Sequence, residues 1–103
     1  MKYEIRQSAP FEKWFAGLKD TTAKRVILAR LARVENGNLG DYKVFGSIIE
    51  LRIFHGPGYR VYGTIRSGRV IILLAGGDKA PQKNDIDKAR KMLEEIRDED
   101  ETI

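Results

Sequence analysis

Tyr3 and Ile5 alternate with Lys2, Glu4 and Arg6, a period of two that predicts a short strand packed on one side. The period then changes. Phe11, Trp14, Phe15 and Leu18 recur at the spacing of one helical face, with Ser8 placed to cap the helix and Pro10 in its first turn, where a missing N–H is tolerated. Asp20 is placed to cap a second helix, whose stripe of Ala23, Val26, Ile27, Leu31 and Val34 runs up to Asn36-Gly37. The two helices are expected to form a hairpin. Further on, Ile49, Leu51 and Ile53 alternate with Ile48, Glu50, Arg52 and Phe54. After Gly56-Pro57-Gly58, Tyr59, Val61, Gly63 and Ile65 alternate with Arg60, Tyr62, Thr64 and Arg66.

These two half-buried strands can pair like with like only across a loop of three or five residues, which Gly56 and Gly58 permit. Arg52 then shares a face with Arg60, Tyr62, Thr64 and Arg66. Ser67-Gly68 turns the chain into Arg69 to Ala75, apolar on both faces and therefore expected to be a central strand flanked by the first. Beyond Gly76-Gly77-Asp78-Lys79, a third helix carries Ile86, Ala89, Leu93 and Ile96 on one face. The order β-α-α-β-β-β-α predicts an α+β domain spanning residues 1–103, with a four-stranded, mainly antiparallel sheet. The helical hairpin covers one sheet face and the other is expected to stay partly open.

One residue breaks the pattern of the second helix. Arg30 lies near the middle of its apolar stripe, so its stem must run along the core edge and carry the guanidinium to a groove. A structural pairing with a carboxylate or carbonyl is the commoner outcome for such a group; a ligand-facing role is the alternative.

Composition narrows the chemistry. The 103 residues contain no Cys and one His, which argues against a disulfide framework, a zinc-thiolate site or a histidine-rich metal site. The amino terminus lacks the apolar run of a signal peptide, and no stretch approaches a membrane span; a cytoplasmic protein is expected. The net charge of +4 hides an asymmetry. Residues 1–70 hold thirteen Lys and Arg against six Asp and Glu, whereas residues 71–103 hold six against nine, with the run Asp98-Glu99-Asp100-Glu101 near their end. A basic body with an acidic tail suggests a surface that meets a polyanion.

The best candidates for chemistry follow from that excess. Arg52, Arg60 and Arg66 on one strand face would repel one another unless a carboxylate such as Glu50 or an anionic partner intervenes. Tyr62 among them offers a phenol to a phosphate oxygen or a ring to a base, a combination suited to single-stranded RNA. Lys79 follows the last strand closely enough to reach the same space. Arg30, Lys43 and His55 complete the candidates for RNA contact, although His55 sits in a turn and reads first as a turn residue.

The motifs Glu50-Leu51-Arg52, Gly56-Pro57-Gly58-Tyr59-Arg60-Val61-Tyr62 and Gly76-Gly77-Asp78-Lys79, with Trp14-Phe15 in the first helix and Asn36-Gly37-Asn38 after the second, carry a resemblance. Over nearly the whole length the chain resembles toxins of the RelE/ParE superfamily, in particular the HigB-like addiction-module killer proteins. The resemblance implies a fold like that of a microbial ribonuclease, cleavage of messenger RNA on the ribosome without cofactor or metal, and neutralisation by a cognate antitoxin. It implies that Arg60 is the hairpin arginine, that Arg52 contacts phosphate, and that Lys79 is the basic group after the last strand. Several ribonucleolytic members carry Tyr or His after that strand, where this chain has Gln82, Lys83, Asn84 and Asp85.

Such cleavage needs a base for the 2′-hydroxyl, cations for the phosphorane and an acid for the 5′-oxygen. Arg60 and Arg52 suit the cationic role, which leaves Tyr62 or Lys79 to move protons if His55 does not. Two other readings stay open on the same scaffold: a ParE-like inhibitor of DNA gyrase without enzymatic activity, and a non-catalytic module that holds an antitoxin or peptide.

Overall fold

A computed structural model describes residues 2–78 and 82–101. Its elements are β1 (Glu4–Gln7), α1 (Ala9–Ala16), α2 (Thr21–Glu35), β2 (Tyr42–Phe45), β3 (Ile48–Ile53), β4 (Tyr59–Arg66), β5 (Val70–Gly77) and α3 (Gln82–Glu101). The strands form one five-stranded sheet in the order β1-β5-β4-β3-β2. β1 runs parallel to β5, and the other pairings are antiparallel. The class is the expected α+β, and β1 flanks β5 as the apolar run required. The fifth strand, β2, has three exposed positions among its four and so lacks the alternation by which the other strands declare themselves.

Local chemistry starts the helices where the sequence places the caps. The Ser8 hydroxyl accepts from the Phe11 N–H at 3.2 Å and donates to the Leu74 carbonyl, joining the start of α1 to β5. Asp20 Oδ1 accepts from the N–H groups of Thr22 and Ala23 at 2.9 and 3.1 Å, satisfying donors that the first turn of a helix leaves unpaired. Both helices lie on the same side of the sheet. There Phe11, Ala23, Ile27, Leu31 and Val34 meet Ile49, Leu51, Ile53, Tyr59, Val61, Ile71 and Leu73 in the larger core.

The opposite side is not open. Ile86, Ala89 and Leu93 of α3 cover Ile48, Tyr62, Ile72 and Leu74 in a second core. The side chain of Ile96 lies outside the described residues. The expectation of a partly open face gives way for a simple reason: Ile48, Ile72 and Leu74 stay in water unless a third layer covers them, and α3 presents a matching stripe.

Register follows from alternation as expected. Ile49, Glu50, Leu51, Arg52 and Ile53 of β3 stand opposite Gly63, Tyr62, Val61, Arg60 and Tyr59 of β4, so apolar meets apolar across a five-residue loop. Gly56 and Gly58 in that loop have φ of 56° and 85°, a region that costs other residues strain. No helix among the described residues is long and apolar enough to cross a membrane.

Candidate functional site

The paired register puts Arg52 directly across from Arg60. Both line an open groove of about 590 Å³ at the β3–β4 turn, together with Phe54, Pro57, Gly58 and Asp78. Like charges placed directly opposite on a sheet are destabilising. Glu50, fully buried two residues before Arg52 on the same face, relieves this by accepting from Arg52 Nε at 3.0 Å. Arg60 Nη1 points to the Asp78 carbonyl at 3.4 Å, which links the start of β4 to the chain leaving β5. Two guanidiniums therefore flank one concave surface, each on a rigid strand. Such an arrangement can grip an oxyanion with several fixed donors.

Behind the groove lies a buried polar layer. Tyr62 is fully buried and Asp85, on α3, is nearly so. Neither the Tyr62 hydroxyl nor Asp85 Oδ2 has a hydrogen-bond partner among the described residues. Burial first, and then the Glu50 and Asp85 carboxylates, hold the Tyr62 phenol neutral well above the ordinary range. Burial likewise raises Asp85, against the opposing pull of Lys88 and Arg60 and with the support of Asp78 and Glu50. The two glycines ending β5 make the room. A Cβ on Gly76 would fall 2.2 Å from the Trp14 ring on one face, and a Cβ on Gly77 would fall 2.3 Å from Asp85 Oδ2 on the other.

The remaining candidates scatter. Arg30 is nearly buried, and its guanidinium donates to the carbonyls of Leu39, Asp41 and Arg52 at 2.5 to 3.0 Å. A Cβ on Gly40 would fall 2.7 Å from Arg30 Nε, so the close turn over this cation needs a glycine. Arg30 thus braces backbone, which corrects its assignment to RNA contact and realises the structural reading. The Arg52 N–H also bonds the Asp41 carbonyl at 3.0 Å, so both backbone groups of Arg52 are tied to this brace.

Tyr62 does not line the groove: its side chain is fully buried in the core beneath α3, which differs from the expected exposed face. His55 Nε2 sits 3.3 Å from Asp20 Oδ2, tying the hairpin turn to the start of α2. The Ala23 N–H, ahead of His55, holds the Asp20 carboxyl below its ordinary value. Arg66 shares the face of Arg60 but lies about 20 Å further along β4, where it borders a second hollow with Thr64 and Leu93. Lys43 is on edge strand β2 opposite Glu50, with its Nζ 5.1 Å from the Phe45 ring centroid. Lys79 lies outside the described residues. Of the eight candidates, Arg52 and Arg60 are brought together in the groove.

Phe54 and Asp78 line the groove without having been singled out from sequence. Phe54 had a signal, since it continues the polar alternation of Glu50 and Arg52 as an apolar residue entering a turn. Asp85 had none that periodicity could show.

Over 97 residues the chain is 43% identical to a Haemophilus influenzae protein described as uncharacterized, a match covering 93% of this chain and 98% of that one. The chain belongs to the family of that protein. No protein-family model matches it. In three dimensions it is similar to a mutant of E. coli toxin RelE in the free state, with a TM-score of 0.72 and 17% identity over 88% of this chain and 97% of that one. It is also similar to a chain of the intact E. coli RelBE toxin-antitoxin complex, with a TM-score of 0.62 and 16% identity over 77% of this chain and 99% of that one. The fold is therefore RelE-like.

Proposed function

We propose that the chain is the toxin of a type II toxin-antitoxin pair, a HigB-like endoribonuclease that cleaves messenger RNA on the ribosome and so stops translation in the cytoplasm. The observation that carries this reading is the cross-strand pair of Arg52 and Arg60 opening into one groove. During attack of a 2′-hydroxyl on the adjacent phosphate, the two non-bridging oxygens gain negative charge, and fixed donors already aimed at them lower the barrier. Arg60 and Arg52 are the donors in this scheme. Arginine stays charged and offers a planar fork, so the grip costs little reorganisation. Lys79, two residues beyond β5 in sequence, is the candidate proton carrier. Glu50 supports Arg52 from behind.

An antitoxin partner is supported by the likeness to a chain of a toxin-antitoxin complex and by the basic character of the first 70 residues, which suits an acidic segment steered onto the groove. Brief induction followed by primer-extension mapping of transcripts tests the enzymatic part. New 5′ ends within translated regions, absent when Arg60 is replaced by Ala, are expected. Intact transcripts accompanied by topoisomerase-linked DNA breaks would instead put the chain with the gyrase inhibitors. Co-expression with the neighbouring small open reading frame tests the partner: co-purification and rescued growth are expected, and failure of both removes the antitoxin.

A further inference from the structure

We propose that Phe54 is the stacking plate of a nucleobase subsite beside the Arg52–Arg60 pair, so that the groove takes a single RNA strand with its phosphate on the arginines and a neighbouring base on the Phe54 ring. This deepens the ribonuclease reading and rests on it. Phe54 is 81% exposed, against 56% or less for the other exposed large apolar residues among the described residues, Leu28, Tyr42 and Val44. A single exposed apolar side chain needs no explanation by itself; its position does.

Phe54 directly follows the last residue of β3 and lines the same groove as both guanidiniums. Two residues of extended chain span about 6.6 Å, so Phe54 and Arg52 are anchored to the backbone within reach of one nucleotide. The turn beyond the ring is bare, because a Cβ built on Gly56 or Gly58 would meet nothing within 4 Å. With no side chain on either glycine and the ring itself 81% exposed, Phe54 is accessible to a planar group.

The surroundings favour a base over a protein side chain. A peptide anchor is held in a concave, apolar pocket that excludes water. Phe54 instead projects from the rim among Arg52, Pro57, Gly58 and Arg60. An aromatic plate next to phosphate-binding cations is how single strands are held without hydrogen bonds to base edges. Every base has a π-face, so this subsite would tolerate all four bases and help to place the scissile phosphate.

The test uses ribosomes programmed with a short defined messenger RNA, the full chain, and the variants Phe54→Ala, Phe54→Leu and Phe54→Trp, each checked for an unchanged denaturation midpoint. Phe54→Ala and Phe54→Leu should lower kcat/KM for cleavage by roughly 5- to 150-fold, the stacking contribution of one base. Phe54→Trp should stay within about threefold of wild type, since its ring stacks equally well. An abasic site at one position beside the cut should slow the wild-type chain by a similar factor and add nothing to Phe54→Ala. If Phe54→Ala or Phe54→Leu cleaves like wild type, or if no abasic position phenocopies Phe54→Ala, the subsite is wrong while the ribonuclease reading stands. Loss of antitoxin affinity in Phe54→Ala with cleavage unimpaired would assign the ring to the protein partner instead. A wild-type chain that cleaves no RNA removes both.

Discussion

Under α1 and α2 the sheet presents Ile49, Leu51, Ile53, Val61, Ile71 and Leu73, and the helices answer with Phe11, Ile27, Leu31 and Val34. Under α3 the same strands present Ile48, Ile72 and Leu74, interleaved with Glu50, Tyr62 and Thr64. The first interface is built from apolar side chains. The second encloses a phenol and a carboxyl that each keep a polar atom without a partner among the described residues, which costs stability. The two faces divide the labour: the α1/α2 face holds the sheet rigid, and the α3 face gives part of its area to polar groups, among them the Glu50 carboxylate that holds Arg52.

The largest effect expected on this division is at the apolar face. Phe11 is 1% exposed and stacks on Phe15 and against Trp14. Phe11→Ala should destabilise the chain by about 3 to 5 kcal/mol, through lost burial and the cavity left behind, as read from the denaturant midpoint. A change below about 1 kcal/mol would mean that this interface does not hold the fold in the way the burial implies.

Arg60→Ala should do the reverse. Stability should move by only about ±0.5 kcal/mol, as for other strand-surface positions, while cleavage falls by roughly 10² to 10³. Arg60→Lys should recover part of the loss, because one ammonium cannot reproduce a two-donor grip. Wild-type cleavage by Arg60→Ala would sink the assignment of the groove.

At the polar face the expected effects are smaller and favourable. Tyr62→Phe removes a buried hydroxyl that has no hydrogen-bond partner within contact geometry among the described residues, so it should be neutral or stabilising by up to about 1 kcal/mol and leave the cleavage rate unchanged. A rate loss near that of Arg60→Ala would return Tyr62 to the chemistry and show that α3 opens during turnover.

The smallest effect concerns Asp85. Its folded pKa is raised from the ordinary 3.8 by burial, so the neutral carboxyl is the form that the fold prefers. Its contribution is complete below pH 3.8 and is lost as the pH rises through the raised folded value. Asp85→Asn, neutral throughout, should raise Tm at pH 7 and converge on wild type in acid. A lower Tm at pH 7 would show that the ionised carboxylate has a folded-state partner.

Much of this architecture was legible in advance. Ser8 and Asp20 as caps, the aromatic stripe of α1, and the like-with-like register of β3 and β4 all follow from contacts within a few residues or across one tight loop. The opposition of Arg52 and Arg60 was legible for the same reason. β2 was missed because its exposed pattern resembles loop. The cover of α3 was missed even though both halves of the signal were present: a β5 apolar on its two faces, and a helix stripe of Ile86, Ala89 and Leu93 in need of a surface. Tyr62 was misjudged with it, since a position facing away from one core counts as exposed only until a second core is found.

By itself the sequence determined everything that depends on period and short loops: which side chains share a face, where helices begin, and which two guanidiniums meet across a hairpin. Those are consequences of fixed repeat lengths in helix and strand and of glycine's freedom at positive φ. Which of the exposed-looking groups stay in water depends instead on how the layers pack. Whether α3 lies over Tyr62 and Glu50, and whether the Arg30 guanidinium finds Leu39, Asp41 and Arg52, depends on layers brought together across tens of residues. Burial and hydrogen-bond satisfaction are properties of that assembled neighbourhood, and periodicity carries no information about them.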